Sequence, residues 1–290
     1  MQSFIRRIAE LVHGVTCFVV YFSGLYLLIS FLKRRKPIVL MYHSVNDRNC
    51  PYVYPDNIVS VENFEKQIAY LSRKKNVISL SELAKHLKSG GNLPHNAIVI
   101  TFDDGYYDFY SNAYPVVKRY GVPCTLFLVT CLLSTGDAKW DDKLAYIINN
   151  AQSSSVSVRL NDEEKTFCLA SQKGRRDCIV ELVGALQNLD SDSRSRTLME
   201  VERQLNSHAV EFKRVMLTWN EVMKLANDGL VFFGCHSHDH INLGKVNPEM
   251  AEWEISKSKN EMEDKVGKLC LLFCYPFGKK SSFNQSVKKL

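Results

Sequence analysis

Two aspartates stand side by side in Thr101-Phe102-Asp103-Asp104-Gly105, and three imidazoles fall within five residues in His236-Ser237-His238-Asp239-His240. Each cluster directly follows an apolar run, AIVI in the first case and VFFGC in the second. A third cluster, Tyr275-Pro276-Phe277-Gly278, follows LCLLFC. His236 and His240, four apart, can present two imidazoles to one ion if the segment turns helically, and a carboxylate from Asp103 or Asp104 makes a third ligand. Two His and one carboxylate leave a coordination position open, the pattern of a catalytic zinc centre rather than a closed structural one. Successive side chains on an extended strand diverge, so adjacent aspartates do not easily share one ion. One is then the ligand and the other is free to act as a base. Asp-Asp-Gly alone is also a good turn, and a His-rich stretch alone is also a solvated loop. The metal reading rests on finding both, each at the end of an apolar run. His43, in MYHSV, also follows such a run and can line the same edge, and Tyr106 stands close enough to the aspartates to face them.

The runs that carry these clusters read as buried strands at 37–42 (PIVLMY), 97–102 (AIVITF), 124–130 (CTLFLVT), 231–235 (VFFGC) and 269–275 (LCLLFCY). Amphipathic stretches alternate with them. Phe64, Ile68 and Leu71 recur at helical spacing; Ser79 with Glu82 and Thr218 with Glu221 read as capping boxes; Asn247-Pro248 opens a helix reaching about 266. Continuous apolar strands separated by helices imply parallel pairing with both sheet faces covered. The fold class is therefore α/β, either a barrel or an open doubly wound sheet. In parallel folds the carboxyl ends of the strands form one functional edge, so clusters distant in sequence can converge there. From about 137 to 215 polar stretches (SSSVSV, NDEEK, SDSRSR) surround two expected helices, which reads as an insertion on the scaffold.

With 46% hydrophobic and 23% charged residues over 290, the chain is too apolar for a disordered protein and long enough for a full core. The net charge of +6 is partly concentrated in KRRK at 33–36 and KGRR at 173–176, and does not by itself indicate nucleic-acid binding. Nine cysteines without a CxxC pair give no zinc knuckle or dithiol motif. The segment 11–32, LVHGVTCFVVYFSGLYLLISFL, has no formally charged side chain and is long enough to span a bilayer. It is expected to be a retained single-pass anchor, with 1–36 as membrane segment and basic flank. The excess of basic residues after it, against Arg6 and Arg7 before it, biases the domain at 37–290 towards the cytoplasm.

In this order, MYHSV, TFDDGY, HSHDH in the H-[ST]-x-x-H form, and YPFG resemble the polysaccharide deacetylase family, also called the NodB-homology or carbohydrate esterase family 4 domain. The resemblance runs from about 37 to 280 around the insertion. It implies a distorted (β/α) barrel of about seven strands holding a divalent metal, usually zinc. It implies that Asp103 is the catalytic base, that Asp104, His236 and His240 are the ligands, and that the reaction is hydrolysis of an N-acyl group from a glycan or lipid-linked sugar. The oxyanion and substrate would then be met by the Tyr275, Pro276 and Phe277 turn, with His43 and Tyr106 nearby. Two departures follow. The Arg that often precedes the aromatic-Pro pair is absent, and the family's later motif with a general-acid His has no counterpart in the 12 residues after Gly278. The barrel is thus expected to be incomplete. Two alternatives follow: a catalytically impaired metal- or carbohydrate-binding remnant, and a deformylase acting on a lipid-linked amino sugar.

Overall fold

The computed structural model describes residues 2–290 except 28, 30–35, 49, 52, 161–162, 190 and 206–213. The chain begins with helix α1 (Gln2–Phe22). Strands β1 (Ile38–Tyr42), β2 (Ser44–Val45) and β3 (Ile58–Val59) lead to helix α2 (Val61–Lys74), strand β4 (Asn76–Val77), helix α3 (Leu80–Ser89) and strand β5 (Ala97–Phe102). Helix α4 (Tyr114–Tyr120), strand β6 (Cys124–Leu128) and helices α5 (Thr130–Thr135) and α6 (Trp140–Asn149) follow. The hairpin β7 (Ser155–Leu160) and β8 (Glu163–Cys168) comes next, then helices α7 (Gln172–Leu186), α8 (Ser191–Leu205) and α9 (Trp219–Ala226). Strand β9 (Val231–Cys235) and helix α10 (Pro248–Val266) complete the series.

The apolar runs form one parallel sheet because nothing polar interrupts them and helices cover them. β1 pairs along β5 from Ile38↔Ile98 to Tyr42↔Phe102. The other edge of β5 takes β4 at Ala97 and Ile98, then β6 at Thr101 and Phe102. β6 pairs with β9 from Cys124↔Val231 to Leu128↔Cys235. All six residues of β5 are buried. Phe64 and Ile68 of α2, Val116 and Val117 of α4, and Val222 and Leu225 of α9 pack with Ile100, Phe102 and Leu126 in the main core. The helix starts follow the sequence: Ser79 accepts the Glu82 backbone N–H, Asn247 accepts that of Met250, and Thr218 and Glu221 form the full reciprocal box.

The region from α6 to α8 has a core of its own. Leu144 and Ile148 of α6, Val156, Val158 and Phe167 of the hairpin, Ile179, Leu182 and Leu186 of α7, and Val201 and Leu205 of α8 pack together. The Arg175 guanidinium staples it, donating to the carbonyls of Ile148, Asn149, Ala151 and Leu169. The hairpin was not expected from sequence, and three helices stand where two were expected.

Two further expectations are corrected. The stretch 269–275 is not a strand: it makes one isolated parallel bridge, Cys235↔Phe273, with Cys235 N–H donating to Leu272 O and Cys274 N–H to Cys235 O. Leu269 and Leu271 are exposed, so the run lacks the two-sided cover that its composition suggested. The described sheet therefore has five strands, short of about seven. The membrane anchor is also overturned. Among the described residues no helix is long and apolar enough to cross a membrane. α1 includes Arg6, Arg7 and Glu10 in its sequence and ends at Phe22, and Gly24 takes a left-handed φ of 72°. The expected span at 11–32 is thus broken midway, and positions 28 and 30–35 lie outside the described residues. The single-pass localisation falls with it.

Candidate functional site

Because the strands are parallel, one sheet edge receives His43 after β1, Asp103 and Asp104 after β5, and His236 after β9. The loop after β1 is pinned by Asp108, whose carboxylate accepts from Ser44 Oγ, Val45 N and Asn46 Nδ2. Asp103 N–H donates to Tyr42 O, extending the β1–β5 pairing to the aspartate pair. At Asp104 the chain turns into a left-handed φ of 76°, followed by Gly105 at 86°. It is this left-handed conformation that calls for glycine; a Cβ there would also stand 2.8 Å from Leu128 Cδ2, the movable end of a side chain.

Asp104, His236 and His240 converge. The Asp104 Oδ1 lies 3.5 Å from His236 Nε2 and 3.3 Å from His240 Nε2. One ligand atom from each of the three lies within 4.8 Å of the others, and all three residues are buried. His236 Nδ1 faces the Cys274 carbonyl at 2.8 Å. A proton on that nitrogen is donated to the carbonyl, which leaves Nε2 as the lone-pair face. Burial pushes His240 well below the ordinary histidine range, keeping its imidazole neutral. Ser237 and His240 take left-handed φ values of 63° and 52°, and His240 N–H donates to Ser237 Oγ, which bends the second imidazole back to the first. Phe277, at 64°, packs its ring 4.9 Å from His240.

Asp104 Oδ1 is buried without a hydrogen-bond partner. Such an atom is costly unless something else satisfies it, and facing two neutral-capable imidazole nitrogens it fits a cation. The other oxygen is accounted for: Lys139 Nζ donates to Oδ2 at 2.7 Å. Burial alone would raise the Asp104 carboxyl, but the Lys139 ammonium, then the neighbouring imidazoles, hold it well below the carboxylate range. Lys139 is itself desolvated, and Asp104, Asp141 and Asp142 keep it protonated. Asp103 has no such cation. Burial raises its pKa, offset in part by His236 and His43. Its Oδ2 meets the Cys274 thiol at 3.6 Å, and its Oδ1 is buried without a partner. The two adjacent carboxyls therefore differ in kind, one held ionised and turned to the imidazoles, the other proton-loving.

His43, Asp103, Asp104, His236, His240, Tyr275 and Phe277 line one cavity of about 530 Å³. Two expected residues are not on its wall. Tyr106 is buried beneath, donating to Asp142 Oδ2 at 2.7 Å, because its backbone bridges Met216 and turns the ring into the protein. Pro276 is buried. Residues overlooked in the sequence are Lys139, Cys274 and Glu254. Lys139 lay in the stretch read as an insertion. Cys274 sat inside an apolar run. Glu254 is one acid among several on α10, yet its Oε2 accepts the backbone N–H groups of both His238 and Asp239.

Residues 90–154 and 182–290 match the sequence pattern of the family described as polysaccharide deacetylase. The chain is 32% identical over 109 residues to a poly-beta-1,6-N-acetyl-D-glucosamine N-deacetylase of Staphylococcus aureus, a match covering 34% of this chain and 37% of that protein. It is 32% identical over 104 residues to YxkH of Bacillus subtilis, covering 34% and 35%. The matches thus span little more than a third of the length of these curated relatives. Among solved structures it shares its fold with the deacetylase PplD of Streptococcus pyogenes in complex with acetate (TM-score 0.54, 17% identity, covering 87% of this chain and 76% of that one). It shares it likewise with IcaB from Ammonifex degensii (TM-score 0.53, 16% identity, 87% and 78%).

Proposed function

Because the chain belongs to the polysaccharide deacetylase family, we propose that it is a hydrolase that removes the N-acetyl group from an amino sugar in a glycan. The observation that carries this reading is the unequal treatment of the two adjacent carboxyls beside two converging imidazoles. Asp104, His236 and His240 would hold a divalent cation, zinc by the chemistry of two nitrogens and one carboxylate. Such a cation supplies charge stabilisation to the acyl oxygen and readies water for attack. Asp103, which lines the same cavity, would accept the proton of the attacking water and return it to the departing amine. Its raised pKa favours holding that proton between the two events. Tyr275, Phe277 and His43, which line the cavity, would confine the acyl group, and a backbone N–H of the 275–277 turn would meet the developing oxyanion.

The substrate class follows from relatives that act on N-acetylated glucosamine polymers, and it extends to a sugar carried on a lipid. Removal of a formyl group, the deformylase alternative, would use the same residues. The test is release of acetate from N-acetylated β-1,6-glucosamine oligomers by the zinc-loaded chain, compared with release of formate from the N-formylated counterparts. Asp103→Asn is expected to lower kcat by about 10²- to 10⁴-fold while zinc remains bound. Equal turnover by wild type and variant would remove Asp103 from the reaction. Loss of zinc binding in Asp104→Asn, measured by metal analysis, checks the ligand set independently of turnover.

A further inference from the structure

The stretch 269–275 reaches the site but is thinly held. It presents the Cys274 carbonyl to His236 Nδ1 and leads into Tyr275 and Phe277 at the cavity. Its backbone is tied to β9 by Cys235 N–H donating to Leu272 O and Cys274 N–H donating to Cys235 O, each at 2.9 Å. Leu269 and Leu271 stand exposed on it. Near its start Cys270 N–H donates to Glu263 Oε1, near the end of α10, at 2.9 Å. There the Cys270 Sγ lies 3.3 Å from the Sγ of Cys235. Both are free thiols and both are buried. Cys235 is the last residue of β9 and immediately precedes His236. A disulfide S–S bond is ~2.0 Å long, so closing the gap asks for little beyond rotation of two side chains. Cys270 also lines a cavity of about 210 Å³ with Val231, Phe233 and Leu272, several times the ~30 Å³ that a water occupies in the liquid. A small oxidant can therefore reach it. The Cys235 thiol, by its hydrogen bond, holds Cys270 below the ordinary thiol range, whereas burial pushes Cys124 and Cys178 up. The thiolate is the form that peroxide oxidises.

We propose that Cys235 and Cys270 are a reversible oxidation site: a peroxide joins them in a disulfide that staples the 269–275 stretch to the ligand-bearing end of β9 and slows loss of the bound cation. The Cys270 sulfur takes one peroxide oxygen as the O–O bond breaks, and the other oxygen leaves as water. The Cys235 sulfur then displaces the sulfenic oxygen as a second water, and the S–S bond forms. The two thiols give up two electrons and two protons, and the peroxide takes them. A dithiol reductant restores the pair. The bond is independent of the reaction proposed above, while its effect on the cation rests on the ligand set proposed there. With the stretch fixed, the Cys274 carbonyl stays against His236 Nδ1, and loss of an outer partner of this kind commonly changes metal affinity about 10- to 100-fold.

The test treats the zinc-loaded chain with hydrogen peroxide. Peptide mass mapping is expected to find Cys235 joined to Cys270 with the loss of two hydrogens, and dithiothreitol to reverse it. Zinc transfer to a chelator is expected to slow by about tenfold in the oxidised chain. Cys270→Ser is expected to show neither change, and Cys270→Val takes its place should the serine variant fail to fold. Finding the two thiols unlinked overturns the site. A linked pair with unchanged zinc transfer overturns its control of the cation, and slowing that persists in Cys270→Ser overturns its assignment to this pair. A reduced chain that takes up no zinc overturns the ligand set proposed above and leaves the staple to be read on the metal-free chain. There oxidation is expected to raise the melting temperature by about 5 °C or more, and an unchanged melting temperature overturns the staple as well.

Discussion

The parallel scaffold and the α6–α8 region each bury a core, but the strand-end site and the hairpin–α7 surface place their charged groups in opposite ways. At the strand-end site the charged groups are buried and face one another, with Asp104 and the Lys139 that caps α6 almost wholly excluded from solvent. Around the hairpin and α7 the ion pairs lie outside: Lys165–Glu181, Lys173–Asp177 and Arg176–Asp56 are all substantially exposed. The candidate site carries its charge buried, and the hairpin and α7 carry theirs in solvent. Buried pairs are expensive to break, whereas exposed pairs contribute little.

The contrast can be broken or sharpened by measurement. Lys139→Met removes a buried cation from between carboxylates and is expected to cost about 3–5 kcal/mol of stability, together with most of the zinc affinity. Denaturant unfolding and metal analysis check both, and a loss below 1 kcal/mol would mean that water reaches the pair. Leu126→Ala in the main core and Leu182→Ala in the second are each expected to cost about 2–5 kcal/mol. Since they lie in separate clusters, their double mutant should be additive within about 0.5 kcal/mol. Strong coupling would merge the two cores into one cooperative unit.

Glu254 gives a pH-dependent arm. Burial raises its pKa to about 6 in the folded chain, above its value in the unfolded chain. Its contribution is therefore fully present below the unfolded pKa and is lost as pH rises through 6. The metal-free wild type should lose about 2 kcal/mol relative to Glu254→Gln between pH 4 and 8. Parallel stability curves would show that the carboxylate is well solvated. The smallest effect is expected from Arg176→Ala, whose exposed pair with Asp56 is worth about 1 kcal/mol or less by thermal unfolding.

The same contrast explains what the sequence disclosed. β1, β5, β6 and β9 are continuous apolar runs, and their ends carry the clusters, so the parallel sheet and the convergence of one of the two aspartates with His236 and His240 could be read from order, while the choice of Asp104 was implied by the family resemblance. Lys139 could not, because its partner lies 35 positions away and only folding brings them together. The hairpin escaped because β8, EEKTFC, has five of its six residues exposed and buries only Phe167, leaving almost no alternation to detect. The run at 269–275 misled in the other direction. Its composition suits a buried strand, but composition does not say whether a neighbour exists to cover it. The span at 11–32 failed because hydropathy was counted without asking whether Ser23-Gly24 continues the helix.

Four side chains at the cavity, or in the turns that shape it, sit on backbone that most residues avoid: Asp104, Ser237, His240 and Phe277 all have positive φ. Each such position costs of the order of 1–3 kcal/mol. Any selection for heat resistance alone, in the laboratory or by lineage drift, would find relief there by installing glycine or asparagine. Three of those exchanges delete a proposed ligand or its brace outright. Engineers seeking a hardier variant should therefore freeze these four codons and look for gains in the peripheral helices.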